Sequence, residues 1–588
     1  MKLIKLIVCM AAVVTLPQYG FPQRSTQNKP RVPSKSASSS ENEAAELRRM
    51  LTLSRVHGLV DRVLSFRDVE AKVQTLIRVG DSLWKYDEPY ARRLFLTAYD
   101  LLKGVRPADK KSEAVSDEGK LTAGKLLDLR SEVIAHLSRH DAALARRLIN
   151  SSADTDHEAM NQRAAMSLIE DDPAQAVAFA ERGLSNGGAS EMIGFLLRLR
   201  RQNAAMADEL FIKTLGRLAA TPHVNGIDLM TLGVYLFTLP TMDPSLEEKG
   251  AYAMQSIGGE LVVNLSGDRA GVSPTLIRAY LTAAIQILAR PVRDPRQQKL
   301  YYVSGYQLLP KAQRFAPDLA PQLLAAMQAI VPDLPPALQR EETFARLKPR
   351  SDYTFDDTLR EIDDIPDDAL RDLRCVMIAQ GLYNRGDFTR AGVVAEKVKE
   401  TATRTQLFNI INYGQAAKAL RSGETVLAEE TAGKLEPGVE RAVLWLQIAR
   451  AHAKQGEPAR LSAFLSAALE AARRVEDARR PYLILTVAGE SAPIDPAMAS
   501  QALSEAVKLF NAGEGRRASW YRTIDAGGRK FHFPLIGFEE HSIAPAIRQL
   551  FAADPEGVEA AVLTLKHERI LGDALRELAS CLLTQIRA

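Results

Sequence analysis

The sequence predicts an all-α chain: a superhelical array of two-helix repeats with one small β-hairpin set into it near the C-terminus. Three observations lead there. From Glu43 onward apolar residues recur at helical spacing, with Leu47, Leu51, Leu53, Val56, Val60, Val63 and Leu64 on one stripe. A short phrase then returns along the chain. Asp87, Asp141, Asp172, Asn203, Asp387, Glu424, Glu457 and Asp495 are each followed four residues later by Ala, except that Leu461 follows Glu457. Close neighbours among them lie 31 to 38 residues apart, the length of one two-helix unit. Finally, "SWYRTIDAGGRKFHFPLIGF" (519–538) abandons helical spacing for alternation around Gly527-Gly528, the pattern of a hairpin.

The elements follow in order. Lys2 and Lys5 precede the apolar run Leu6 to Leu16, and "PQYGFPQ" ends it. This run is too short to span a bilayer and reads as a signal peptide over 1–22, cut between Gly20 and Gln23. The expected destination is the periplasm or the outside of the cell. Residues 23–42 are polar, rich in Ser and Pro, and predict a disordered linker. Helical repeats are expected over 43–220. The middle region, 221–350, reads as longer helices with irregular linkers, and "IDLMTLGVYLFTL" (227–239) as a buried helix too short to cross a membrane. Repeats return over 351–513, after an acidic stretch at 356–372. Residues 514–588 hold the hairpin and capping helices.

The recurring phrase is punctuation. An Asp or Asn ahead of a new helix accepts a hydrogen bond from one of its first free N–H groups. Pro173 and Pro496 sit where a missing N–H costs nothing. Gly386, Gly423 and Gly456 precede the cap where the previous helix must end in a left-handed turn. The Ala one turn in lets a partner helix approach closely.

"AQGLYNRGDFTRAGVVAEKV" (379–398) resembles a tetratricopeptide repeat. Ala379 takes the small position of the first helix; Gly386, Phe388 and Ala391 match the turn and the start of the second. "AAKALRSGETVLAEETAGKL" and "ARAHAKQGEPARLSAFLSAA" match less well, with Thr425 and Pro458 at the aromatic position. The resemblance extends over 368–513 and, more faintly, over 87–218. It implies a right-handed superhelix and a binding role, with no particular ligand.

Composition narrows the function. A formal net charge of +4 over 588 residues, with Arg and Glu interspersed, does not suit a dedicated nucleic-acid binder. Beyond Cys9 in the signal, Cys375 and Cys581 make no disulfide framework. No nucleophile elbow, phosphate loop or zinc-protease motif occurs, and no cofactor is expected. His136 and His140, four apart, share a helical face, and with Asp141 and His157 form the best zinc candidate. Asp141 is already accounted for as a cap, however, and His157 falls in a segment read as a loop between repeats. Cys375 lies on an apolar face and reads as a buried thiol.

The reading that results is a non-catalytic scaffold for a protein or peptide partner. If Ala379, Ala416 and Ala449 are successive packing positions, the 3.6-residue turn carries Gln380, Tyr383, Asn384, Ala417, Leu420, Arg421, Arg450, Ala453 and Lys454 to the concave side. Tyr413 and Gln447 lie one turn earlier. Arg421, Arg450 and Lys454 would form a positive strip, suited to an extended segment carrying carboxylates. Two alternatives stand beside this: a helical-toroid lyase or hydrolase acting on cell-wall or polysaccharide, drawing on His136, His140, His157 and Tyr252, and a structural part of an envelope assembly. The aromatic hairpin is either a recognition tip or an element folded back to cap the open end of the array.

Overall fold

The computed structural model describes residues 36–105, 121–152, 154–183, 189–237, 254–257, 260–263, 265, 267–334, 355–456, 458–515, 520–535 and 543–586. Among them are twenty-five α-helices, one 3-10 turn and two β-hairpins. The chain divides into two units, 1–51 and 52–588. Of the first, the described part is the start of helix α1 (Ser36–Leu64), which opens inside the segment expected to be a linker. Everything below concerns the second unit.

The repeats are helical hairpins, and the caps are where the sequence places them. The N-terminal repeats comprise α2 (Val69–Leu83), α3 (Glu88–Lys103), α4 (Ala123–Ser138), α5 (Ala142–Asn150), α6 (Asp154–Leu168), α7 (Pro173–Gly183), α8 (Ala189–Gln202) and α9 (Ala204–Ala220). Side-chain oxygens of Asp87, Asp141, Asp172 and Asn203 accept from the backbone N–H of Tyr90, Leu144, Gln175 and Met206 at 2.8–3.1 Å. The Ala one turn in is fully buried at Ala91, Ala145, Ala176 and Ala207. His157 falls in the first turns of α6, not in a loop.

The middle region holds α10 (Gly226–Gly233), the strands β1 (Met254–Ile257) and β2 (Glu260–Val263), then α11 (Pro274–Leu288), α12 (Pro295–Phe315) and α13 (Ala320–Ile330). The strands pair antiparallel, Met254 opposite Val263. They correct the expectation that this region is helices and linkers alone.

The second half runs α14 (Phe355–Asp363), α15 (Asp368–Asn384), α16 (Phe388–Glu396), α17 (Thr401–Arg421), α18 (Thr425–Lys434), α19 (Val439–Gln455), α20 (Pro458–Arg473), α21 (Arg480–Ser491) and α22 (Pro496–Asn511). After the second hairpin come α23 (Ile543–Ala553), α24 (Pro555–Leu563) and α25 (Glu568–Thr584). Gly386, Gly423 and Gly456 take φ of 72°, 87° and 75°, the left-handed conformation that the helix ends require. Asp387 and Asp495 cap as expected, whereas Glu424 makes no side-chain capping bond. Glu457 lies outside the described residues.

First helices form one row. α15, α17, α19, α21, α23 and α25 pack in succession, and α25 then packs against α2, from which α4, α6 and α8 continue. The two halves of the chain are therefore joined through its ends. At that junction the Glu568 carboxylate accepts from the N–H groups of Arg67 and Asp68 at 2.9 and 2.6 Å. Arg569 reaches Asp68 and Glu70 at 2.9 and 2.8 Å. Gly572 lets the helices touch: a Cβ there would lie 2.3 Å from Thr75 Oγ1. In the second row, the part of α1 from Thr52 onward stands between α24 and α3. Arg55 pairs with Glu559, and His57 meets Asp87 at 3.3 Å and the Tyr90 ring at 4.0 Å. This part of α1 thus fills the second-row place next to α24.

Candidate functional site

The second hairpin pairs β3 (Tyr521–Ala526) with β4 (Arg529–Pro534), Tyr521 opposite Pro534 and Asp525 opposite Lys530. Gly527 and Gly528 turn it with φ of 57° and 74°, the two left-handed positions of a type I′ turn. Alternation sorts its side chains. Arg522, Ile524, Ala526, Phe531 and Phe533 share the face turned inward, while Tyr521, Thr523, Asp525, Lys530 and His532 are exposed. The hairpin packs on α15 and α17. Ile524 and Phe533 are fully buried; the Phe533 ring meets Tyr383 edge-on at 5.4 Å, and Trp520 meets Tyr482 at 6.1 Å. The hairpin is folded back, and what it covers is the faces of α15 and α17.

Helix side chains address the hairpin's backbone. Gln380 Nε2 donates to the His532 carbonyl at 2.7 Å, and Tyr383 Oη to the Pro534 carbonyl at 2.8 Å. On the β3 edge, Arg479 Nη1 lies 3.4 Å from the Tyr521 carbonyl and Thr403 Oγ1 lies 3.4 Å from that of Asp525. Beneath the sheet sits Glu440, 2% exposed, with Oε1 lacking a hydrogen-bond partner and Arg522 Nε 3.7 Å away. Tyr413 Oη is 3.1 Å from Gln447 Nε2. Burial, with the negative charge of Glu440 adding to it, pushes the phenols of Tyr383 and Tyr413 far above their ordinary range. Both stay protonated at any physiological pH, so Tyr383 remains a donor to the strand.

The expected binding strip is thus divided. Gln380 and Tyr383 are engaged by the hairpin, Tyr413 and Ala417 are buried, and Gln447 is half-buried against Tyr413. Arg450 Nε pairs with Glu490 at 2.8 Å. Asn384, Arg421, Ala453 and Lys454 are exposed, and Leu420 is half-buried. Sequence reasoning missed Glu440, Thr403 and Arg479. Thr403 and Arg479 meet a hairpin that follows them by 122 and 42 residues, and no local signal marks their role or that of Glu440.

The residues with catalytic or metal-binding chemistry go elsewhere. His140 Nε2 lies 2.7 Å and His136 Nδ1 3.4 Å from the carboxylate of Asp81, which ties α4 to α2. His140 also stacks on Trp84 at 4.7 Å. Asp141 caps α5 and pairs with Arg92, and His157 Nε2 faces the Ser152 carbonyl at 3.3 Å. The four candidates for zinc therefore do not converge, and among the described residues no cluster of three His, Cys, Asp or Glu side chains could hold a metal. Tyr252 lies outside the described residues. Cys375 and Cys581 are buried, and burial pushes each thiol up to about 11, where it is a poor nucleophile. No described helix is long and apolar enough to cross a membrane.

The packing and this face together define a helical-repeat protein. No family model and no curated protein matches the chain. Among solved structures it is similar to one described as "Circular tandem repeat protein with novel repeat topology and enhanced subunit contact surfaces". That chain is 12% identical, over 90% of this chain and 97% of the other, with a TM-score of 0.12. So slight a likeness carries no weight, and the class rests on the helix packing itself.

Proposed function

We propose that the protein is an exported scaffold of tetratricopeptide-like repeats that binds a protein or peptide segment in the cell envelope and catalyses nothing. The observation that carries this reading is on the row of first helices, where Gln380 and Tyr383 of α15 donate to main-chain carbonyls of an extended strand. Stacked hairpins present such a continuous face, and extended segments fit it. The tetratricopeptide kinship is supported by the turn at Gly386 and by Phe388, buried and edge-on to Tyr383 at 5.3 Å. Export is supported by Lys2, Lys5 and the short apolar run after them.

Arg421 and Lys454, exposed beside the hairpin-covered face, are the cations open to a carboxylate-bearing partner. Arg450 is already neutralised by Glu490. The test is the double charge reversal R421E/K454E, with folding checked by circular dichroism, and partner affinity measured at two salt concentrations. Affinity for an acidic partner should fall in the variant, and the wild-type affinity should fall with salt. Unchanged affinity at both salt concentrations overturns this placement.

A further inference from the structure

The hairpin lies on the face that sequence reasoning assigned to a partner, and the manner of its docking identifies what that face recognises. On β4, both short contacts, from Gln380 and Tyr383, go to main-chain carbonyls of the outer edge. A longer approach, from Arg479 Nη1 at 3.4 Å, meets the outer-edge carbonyl of Tyr521 on β3. Contacts of this kind read an extended backbone whatever its side chains are. Selectivity comes from two inward positions. Phe533 fills an apolar site edge-on to Tyr383, and Arg522 points toward Glu440. Glu440 is shielded from solvent and its Oε1 has no hydrogen-bond donor, so the site holds a carboxylate that the hairpin satisfies only at 3.7 Å. A two-stranded hairpin is marginal in isolation and owes its order to the surface beneath it.

We propose that the face of α15, α17 and α19 is a strand-binding site that β3–β4 occupies as an intramolecular ligand. The partner is an extended segment alternating apolar and basic side chains, which takes the hairpin's place. This deepens the scaffold reading and rests on it. It also sets the charge of the inward-facing partner residue as positive, since the buried receptor is Glu440, while carboxylates on the partner would be met outside the hairpin, at Arg421 and Lys454.

The experiment replaces residues 520–535 by a Gly-Ser linker of equal length in the otherwise full chain. The probe is a fluorescent synthetic peptide of residues 519–538, followed by anisotropy. The folded replacement variant should bind the peptide saturably. The wild type should bind about a hundredfold more weakly if its site is about 99% occupied in cis, because apparent affinity scales with the competent fraction. In the replacement background, Tyr383→Phe should weaken binding about fivefold, the worth of one hydrogen bond. Glu440→Gln should weaken the native peptide while leaving a peptide with Gln in place of Arg522 unaffected. A folded replacement variant that binds no peptide overturns the proposal. So does binding insensitive to both Tyr383→Phe and Glu440→Gln. If the replacement variant does not fold, intact protein carrying Phe533→Ala decides: it should bind the peptide more tightly than the wild type, and equal affinity overturns the proposal. None of these outcomes depends on R421E/K454E, so the scaffold reading stands or falls separately.

Discussion

Gly572 offers a test of the joined chain ends whose sign is set by geometry. In the wild type, a Cβ at 572 would sit 2.3 Å from Thr75 Oγ1 and 3.4 Å from the Phe66 ring. Thr75 cannot simply rotate away, because its hydroxyl donates to the Ala71 carbonyl at 2.7 Å and is buried. Losing that bond costs about 1 kcal/mol, and overpacking of this kind costs about 1–3 kcal/mol. Against this, Ala gains about 1 kcal/mol over Gly inside a helix. Gly572→Ala should therefore destabilise the junction by about 1–3 kcal/mol. Thr75→Ala removes the atom that clashes. In that background the same Gly572→Ala change should become neutral or stabilising, by up to about 1 kcal/mol. A chain of this length need not unfold in one step, so the readout is hydrogen exchange of amides in α2 and α25, compared across the four proteins of the cycle. Destabilisation by Gly572→Ala of equal size in the wild-type and Thr75→Ala backgrounds would refute the close crossing of α25 on α2.

Other outcomes follow from the same contacts. Asp141→Ala and Asp495→Ala should each cost about 1 kcal/mol in local exchange protection, whereas Glu424→Ala, with no capping bond to lose, should change little. Arg522→Ala leaves Glu440 buried without its cation and should speed exchange of the hairpin amides. Adding Glu440→Gln should restore much of that protection, and a double variant no better than Arg522→Ala would be against it. Burial alone would raise the Asp81 carboxyl, but the imidazoles of His140 at 2.7 Å and His136 at 3.4 Å outweigh it and hold it far below the ordinary carboxylate range. A depressed folded-state value stabilises above the unfolded value, about 4, and that contribution fades as pH falls toward the folded one. The stability gap between wild type and Asp81→Asn should narrow as pH falls below about 4.

What is legible in the sequence is what is local. An N-cap is settled within four residues, so Asp87, Asp141, Asn203 and Asp495 can be read directly, and the hydrogen bonds they accept agree. The hairpin at 521–534 is legible because alternation and a Gly-Gly turn coincide. The same signal exists at β1–β2, where "MQSI" and "ELVV" flank Gly258-Gly259, but the strands are only four residues long and neighbouring helical stretches hide them. The join of α25 to α2 spans about 500 residues, and nothing in either segment names the other. That the hairpin covers part of the expected binding strip is hidden for the same reason. Helical register correctly brings Gln380 and Tyr383 to one face, but it cannot say that a strand 151 or 152 residues later already lies on it.

The central proposal is that this face meets a partner in the cell envelope, and Asn384 is the place to ask. It is exposed, one residue beyond Tyr383, and makes no contact with the hairpin among the described bonds. A photo-crosslinking amino acid at position 384, in the full chain expressed in its native host, should on irradiation join the protein to one or a few envelope proteins. R421E/K454E in the same chain should weaken that adduct. Irradiation that yields no adduct at 384, from protein found folded and at wild-type level, would contradict the account.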